Sequence, residues 1–194
     1  MKTLHHPDFE RDSCGFGLVT QLDDQPSHQI VCDALDALRR LTHRGAVAPD
    51  GKTGDGCGVL LKLPLDWLAQ VARENGLELA ERFTTGMIFL DPDAETSTTQ
   101  RAMLERHLTD QGLEVAGWRA VPVDPDACGE KSRQTMPLIE QIFVNAGSQM
   151  DEAAFQRALY LARRLCEVEC GSDAGFYIAS LSAATISYKG MVMP

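Results

Sequence analysis

The apolar residues Ile30, Val31, Ala34, Leu35, Leu38 and Leu41 recur every three or four positions and fall on one helical stripe. Ser27 supplies an N-cap and the turn Asp23–Pro26 a break before it, so the spacing predicts a helix over about 28–41. Upstream, GFGLVTQL (15–22) predicts a strand, weakened by Gly15 and Gly17. HRGAVAPDGKTGDGCG (43–58) has five glycines and reads as one long ordered loop. Residues 58–63 predict a strand, and Pro64 opens a helix closed by Gly76. TTGMIFL (84–90) predicts a strand ended by Asp91-Pro92, and Ser97 or Thr98 opens a helix to about Asp110. Strands follow over 113–121 and 137–144, with the turn-rich VPVDPDACG between them. Asp151 caps a long helix to about Glu169, and 176–181 and 185–188 predict two late strands.

Strands and helices alternate, which leaves α+β and α/β both open. The chain's 194 residues suit one domain, and neither an internal repeat nor a long polar linker divides it. The apolar ending YKGMVMP carries the expectation of a segment cut from something longer.

Charge narrows the partners. With 28 acidic against 18 basic residues the net charge is −10, which disfavours a phosphate-backbone binder, so no nucleic acid is expected. No apolar run approaches a membrane span, and MKTLHHPDFERDS lacks the apolar core of a secretory signal. The six cysteines, at 14, 32, 57, 128, 166 and 170, are too scattered for a secreted disulfide scaffold. The expectation is a reduced, cytoplasmic protein with no membrane partner.

Most candidate chemistry fails on spacing. Gly51-Lys52-Thr53 ends like a phosphate loop, but the glycine required five residues earlier is Ala46. Cys166 and Cys170 share a helix face without a histidine or further cysteine to complete a metal site, so packing is the plainer reading. Asp124 and Asp126 lack the glycine and glutamate of a calcium loop.

Cys14, in DSCGFG, could be a core residue, a metal ligand, half of a disulfide or a nucleophile. The flanking glycine lets another group approach the backbone closely. A thiol near its ordinary pKa of about 8.5 needs a base, and no histidine is placed to be one. Cleavage between Ser13 and Cys14 would give Cys14 an α-amine, whose pKa of roughly 7.7–8.0 suits proton acceptance near neutrality.

The run DSCGFGLVTQLDDQPSHQIVCDALDALRRLTHRGAVAPDGKTGDGCGVLL resembles the start of the large subunit of the bacterial glutamate synthase family. The likeness continues through FTTGMIFL, VAGWRAVP, PLIEQIFVN and FYIASLSAATISYKGMVMP. It is the combination of CGFG, a helix, HRGAV and DGKTGDGCG that is specific.

That resemblance implies a class II glutamine amidotransferase domain with an α+β, four-layer αββα N-terminal-nucleophile hydrolase fold of mainly antiparallel sheets, incomplete in this chain. It implies that residues 1–13 are a propeptide and 14–194 the truncated amidotransferase portion. Cys14 becomes the nucleophile that hydrolyses L-glutamine, and Arg44 a brace near it or a substrate anchor. Gly15, Gly45 and Asp55 support the loop, as Asp50 and Lys52 do. The family's oxyanion-hole Asn-Gly pair is not matched by Asn145-Ala146-Gly147. FMN, a 3Fe–4S cluster, 2-oxoglutarate and NADPH from a small partner subunit belong, by the same resemblance, to the central and synthase regions, with no cofactor or metal expected in this segment. Another class II amidotransferase, or an inactive domain kept for partner contact, remain the alternatives.

Overall fold

The computed structural model describes residues 15–23, 25–42, 45–171 and 175–192. Its elements in chain order are α1 (His28–Arg39), β1 (Thr53–Lys62), α2 (Leu65–Glu74), β2 (Phe83–Leu90), α3 (Ala94–Asp110), β3 (Glu114–Ala120), α4 (Glu130–Gln134), β4 (Leu138–Asn145), α5 (Glu152–Cys170), β5 (Tyr177–Leu181) and β6 (Thr185–Val192). A 3-10 turn, Pro125–Ala127, precedes α4.

The strands form two antiparallel sheets, one of order β3-β4-β2-β5 and one pairing β1 with β6. This mixed architecture of antiparallel sheets and interspersed helices is the one expected of an N-terminal-nucleophile fold.

The four-stranded sheet is buried on both faces. Ile88, Leu90, Ile142, Val144 and Ile178 meet Leu104, Leu108, Phe155, Leu159 and Cys166 from α3 and α5. On the other face Met87 and Phe143 meet Leu68, Val71 and Ala72 of α2 and Ile186 of the second sheet. Two covered faces explain why FTTGMIFL and LIEQIFVN are nearly continuous apolar runs rather than alternating ones. Arg101 clamps α3 to β4 by two bonds to Glu140, at 2.7 and 2.6 Å. Arg106 and His107 tie α3 to α5 through Glu169.

Predicted caps hold at two helices: Ser27 accepts the Gln29 amide, and Asp151 accepts that of Ala154. Three expectations need correction. Residues 15–21 have no regular structure, with Phe16, Leu18 and Leu22 exposed; a strand exists only by pairing, and no described strand runs beside this one. Strand β1 begins at Thr53, so GDGCG is not loop. Gly56 takes a φ of 106° at a register shift, and a Cβ on Gly58 would lie 2.7 Å from the Tyr188 carbonyl oxygen, so these glycines permit the pairing. Helix α3 starts at Ala94, earlier than Ser97, because Asp93 accepts the Thr96 amide and is the effective cap. The short helix α4 follows the turn-rich VPVDPDACG, over residues for which no element was expected.

Candidate functional site

The two residues on which the expected chemistry rests, Cys14 and Arg44, lie outside the described residues, as does the leader 1–13. What is described is the scaffold next to them. Gly15 is exposed. Gly45 is exposed too, and a Cβ placed on it would meet nothing within 4 Å. Beyond Gly45 the chain makes an isolated antiparallel bridge, Val47 to Gly54, and the Ala48 amide donates to the Thr53 carbonyl at 2.8 Å. Residues 45–52 therefore form a hairpin-like loop feeding directly into β1.

Two aspartates fasten this loop. Asp55 Oδ2 accepts the Ala46 amide at 2.9 Å, fixing the residue next to Gly45. Asp50 accepts the Lys52 amide at 3.0 Å, the Thr53 amide at 2.8 Å and the Thr53 hydroxyl at 2.6 Å. A further backbone bond reaches Asp50 from Lys131 at the start of α4. These donors, led by the Thr53 hydroxyl, hold the Asp50 carboxyl far below the usual carboxylate range.

The segment 124–133 docks on the same loop. Lys52 Nζ donates to the Asp126 carbonyl at 3.2 Å, and Arg133 pairs with Asp126 at 3.3 Å. Gly129 is buried against the loop, and a Cβ there would stand 2.6 Å from the Thr53 nitrogen and closer still to Thr53 Oγ1 and Asp50 Oδ2. Only glycine fits. Asp50, Lys52 and Asp55 are thus brought together as loop supports. Gly129 is a contributor that no sequence motif announces, because its partners lie more than seventy positions away in the chain.

Residues 14–194 match the family of class-II glutamine amidotransferases. The chain belongs to that family. Within this amidotransferase chain, 188 residues are 39% identical to a chloroplastic ferredoxin-dependent glutamate synthase of Oryza sativa subsp. japonica, covering 94% of the chain and 12% of that protein. The large chain of glutamate synthase [NADPH] from Bacillus subtilis (strain 168) is 35% identical over 195 residues, 98% of the chain and 13% of the relative. The corresponding large chain from Azospirillum brasilense is 34% identical over 193 residues, with shares of 97% and 13%. The amidotransferase chain therefore spans about an eighth of the length of these curated relatives.

Other side chains of the amidotransferase are committed to structure. Asn145 is buried, accepting the Ala80 amide at 2.9 Å and donating to the Glu78 carbonyl at 3.2 Å, which leaves it no oxyanion to hold. Cys166 is fully buried, and burial pushes its thiol up to about 12. Burial also raises the Cys57 thiol. Cys32, Cys57, Cys128 and Cys166 are free thiols. Among the described residues no group of three or more His, Cys, Asp or Glu side chains is placed to hold a metal ion. No described helix is long and apolar enough to cross a membrane.

Proposed function

We propose that this chain is the glutaminase part of a cytoplasmic glutamate synthase, activated by removal of residues 1–13. The observation that carries the reading is a family match that starts at Cys14 and runs to residue 194, joined to relatives named as glutamate synthases across more than nine-tenths of the chain.

In this mechanism the Cys14 sulfur attacks the side-chain amide carbon of L-glutamine. The Cys14 α-amine takes the thiol proton and returns it to the leaving nitrogen, so ammonia departs and a glutamyl thioester remains. Water then cleaves the thioester, releasing glutamate and restoring the thiol. Arg44 braces the nucleophile or anchors a carboxylate with its planar fork. The loop that follows Arg44 is held at both ends, by Asp55 through Ala46 and by Asp50 through Thr53. A fixed loop supports this assignment, since catalytic geometry depends on positioning held to a fraction of an ångström.

Ammonia would be consumed by the remainder of a longer protein, which joins it to 2-oxoglutarate and reduces the product to glutamate. FMN, a 3Fe–4S cluster and NADPH supplied through a small subunit belong to that remainder. Intact mass and N-terminal sequencing of the full-length protein, with and without a glutamine-analogue electrophile, test the reading. The expected result is loss of residues 1–13 and a label on Cys14. Labelling of Cys14 with the leader still attached would overturn the amine as base. Cys14→Ser should abolish glutamine-dependent activity and spare activity with added ammonia.

A further inference from the structure

The bonds of Asp50 and Asp55 to Ala46, Lys52 and Thr53 run within one stretch of chain, from the loop into β1. The contacts from 124–133 are of another kind. That segment joins β3 to β4, so it ties the loop after Arg44 to the four-stranded sheet. Three contacts make the tie. Lys52 Nζ donates to the Asp126 carbonyl at 3.2 Å, the Lys131 amide donates to Asp50, and Gly129 lies against Thr53 and Asp50. They come from different residues of a turn-rich segment, and meet the loop together only if that segment keeps one shape.

Arg133 holds that shape. Its guanidinium pairs with the Asp126 carboxylate at 3.3 Å and donates from Nε to the Cys128 carbonyl at 3.2 Å. One planar fork thus spans the residues on either side of Ala127 and draws the 3-10 turn Pro125–Ala127 against α4. Asp124 adds a bond, accepting the Asp126 amide at 3.0 Å. Arg133 and the Asp126 carboxylate are both exposed, and an exposed ion pair contributes little to stability. Its consequence is geometric. Asp126 offers its carboxylate to Arg133 and its carbonyl to Lys52, so the constraint passes from one cation to the other through a single residue.

Resting on the glutaminase reading of the chain, we infer that Arg133 is a positioning residue for glutamine turnover, acting through Asp126 and Lys52 on the loop that starts beside Arg44. It takes no chemical step. It fixes where the far end of the loop stands, and a displacement of about 1 Å in such a support can cost roughly a hundred-fold in rate.

The test uses the full-length protein and the variants Arg133→Met, Arg133→Lys, Lys52→Met and Lys52→Met/Arg133→Met. Glutamine-dependent and ammonia-dependent rates are measured, with amide hydrogen exchange over residues 45–53 and over β4. Arg133→Met should lower glutamine-dependent kcat/KM about ten-fold and leave the ammonia-dependent rate unchanged. Exchange should quicken in the loop and not in β4. The double variant should lose no more than the larger single loss, because both substitutions cut one chain of contacts. Arg133→Lys, which keeps a cation for Asp126, should recover part of the rate. Additive losses, faster exchange in β4 as well, or an Arg133→Lys variant as slow as Arg133→Met would each overturn the inference. A natural protein that turns over no glutamine overturns the glutaminase reading and the positioning role together, whereas intact turnover in Arg133→Met overturns the positioning role alone.

Discussion

Asp50 and Thr53 hold each other through both carboxylate oxygens: Oδ1 accepts the Thr53 amide at 2.8 Å and Oδ2 its hydroxyl at 2.6 Å. Gly129 closes over this pair with no room for a methyl group. Gly129→Ala should therefore destabilise the protein by about 1–3 kcal/mol, since the obstructing Thr53 nitrogen is backbone and cannot swing aside. Denaturant unfolding of the natural and variant proteins measures this. An unchanged midpoint would mean the contact is looser than described.

The same carboxylate predicts an acid dependence. A folded-state pKa below the unfolded value of about 3.9 stabilises the fold above that value. The contribution is lost as pH falls through the lower folded pKa. Asp50→Asn should thus melt below the natural protein near neutral pH and converge with it in strong acid. Melting midpoints across that range, with parallel curves as the contrary result, decide the point.

Asp55→Ala should loosen Ala46 and with it the segment that leads back to Arg44. Under the proposed mechanism, glutamine-dependent kcat/KM falls by about ten- to a hundred-fold, in line with the cost of small misplacements. Activity with added ammonia stays unchanged. Asp55→Asn, which keeps an acceptor oxygen, should restore most of the loss.

Phe155 is 1% exposed in the helix-facing core of the four-stranded sheet. Truncation in Phe155→Ala should cost about 3–5 kcal/mol, lost transfer energy plus a residual cavity. Equilibrium unfolding in urea gives the value directly.

Cys166 combines full burial with a thiol pushed up to about 12. Alkylation of the native protein at mildly alkaline pH should leave it unmodified, and labelling should appear only after unfolding. Peptide mass mapping reads the site.

Where a local signal and its physical cause coincide, the chain was readable before folding. The α1 cap Ser27, the α5 cap Asp151, and the apolar runs of β2 and β4 are such cases. GFGLVTQL failed because its strand pattern states only a capacity to pair, and pairing depends on residues far along the chain. The start of β1 was hidden for a related reason. Gly56 and Gly58 read as loop, although they are there to admit a bulge and the Tyr188 backbone. At the site, Asp50 and Asp55 were visible as loop supports, being close in sequence to what they bind. Gly129 was not, because it gains its meaning from Asp50 and Thr53, far back in the chain.

The way Asp50 is bound also bears on proton traffic. A carboxylate whose lone pairs are taken by the Thr53, Lys52 and Lys131 donors has little affinity left for a proton. Though it sits in the loop after Arg44, it is a poor general base at neutral pH. Under the proposed mechanism the thiol proton must go to the α-amine, which becomes available at Cys14 only when the peptide bond after Ser13 is broken. Under that mechanism the onset of glutaminase chemistry waits on a single irreversible cut, for which Asp50 offers no substitute base.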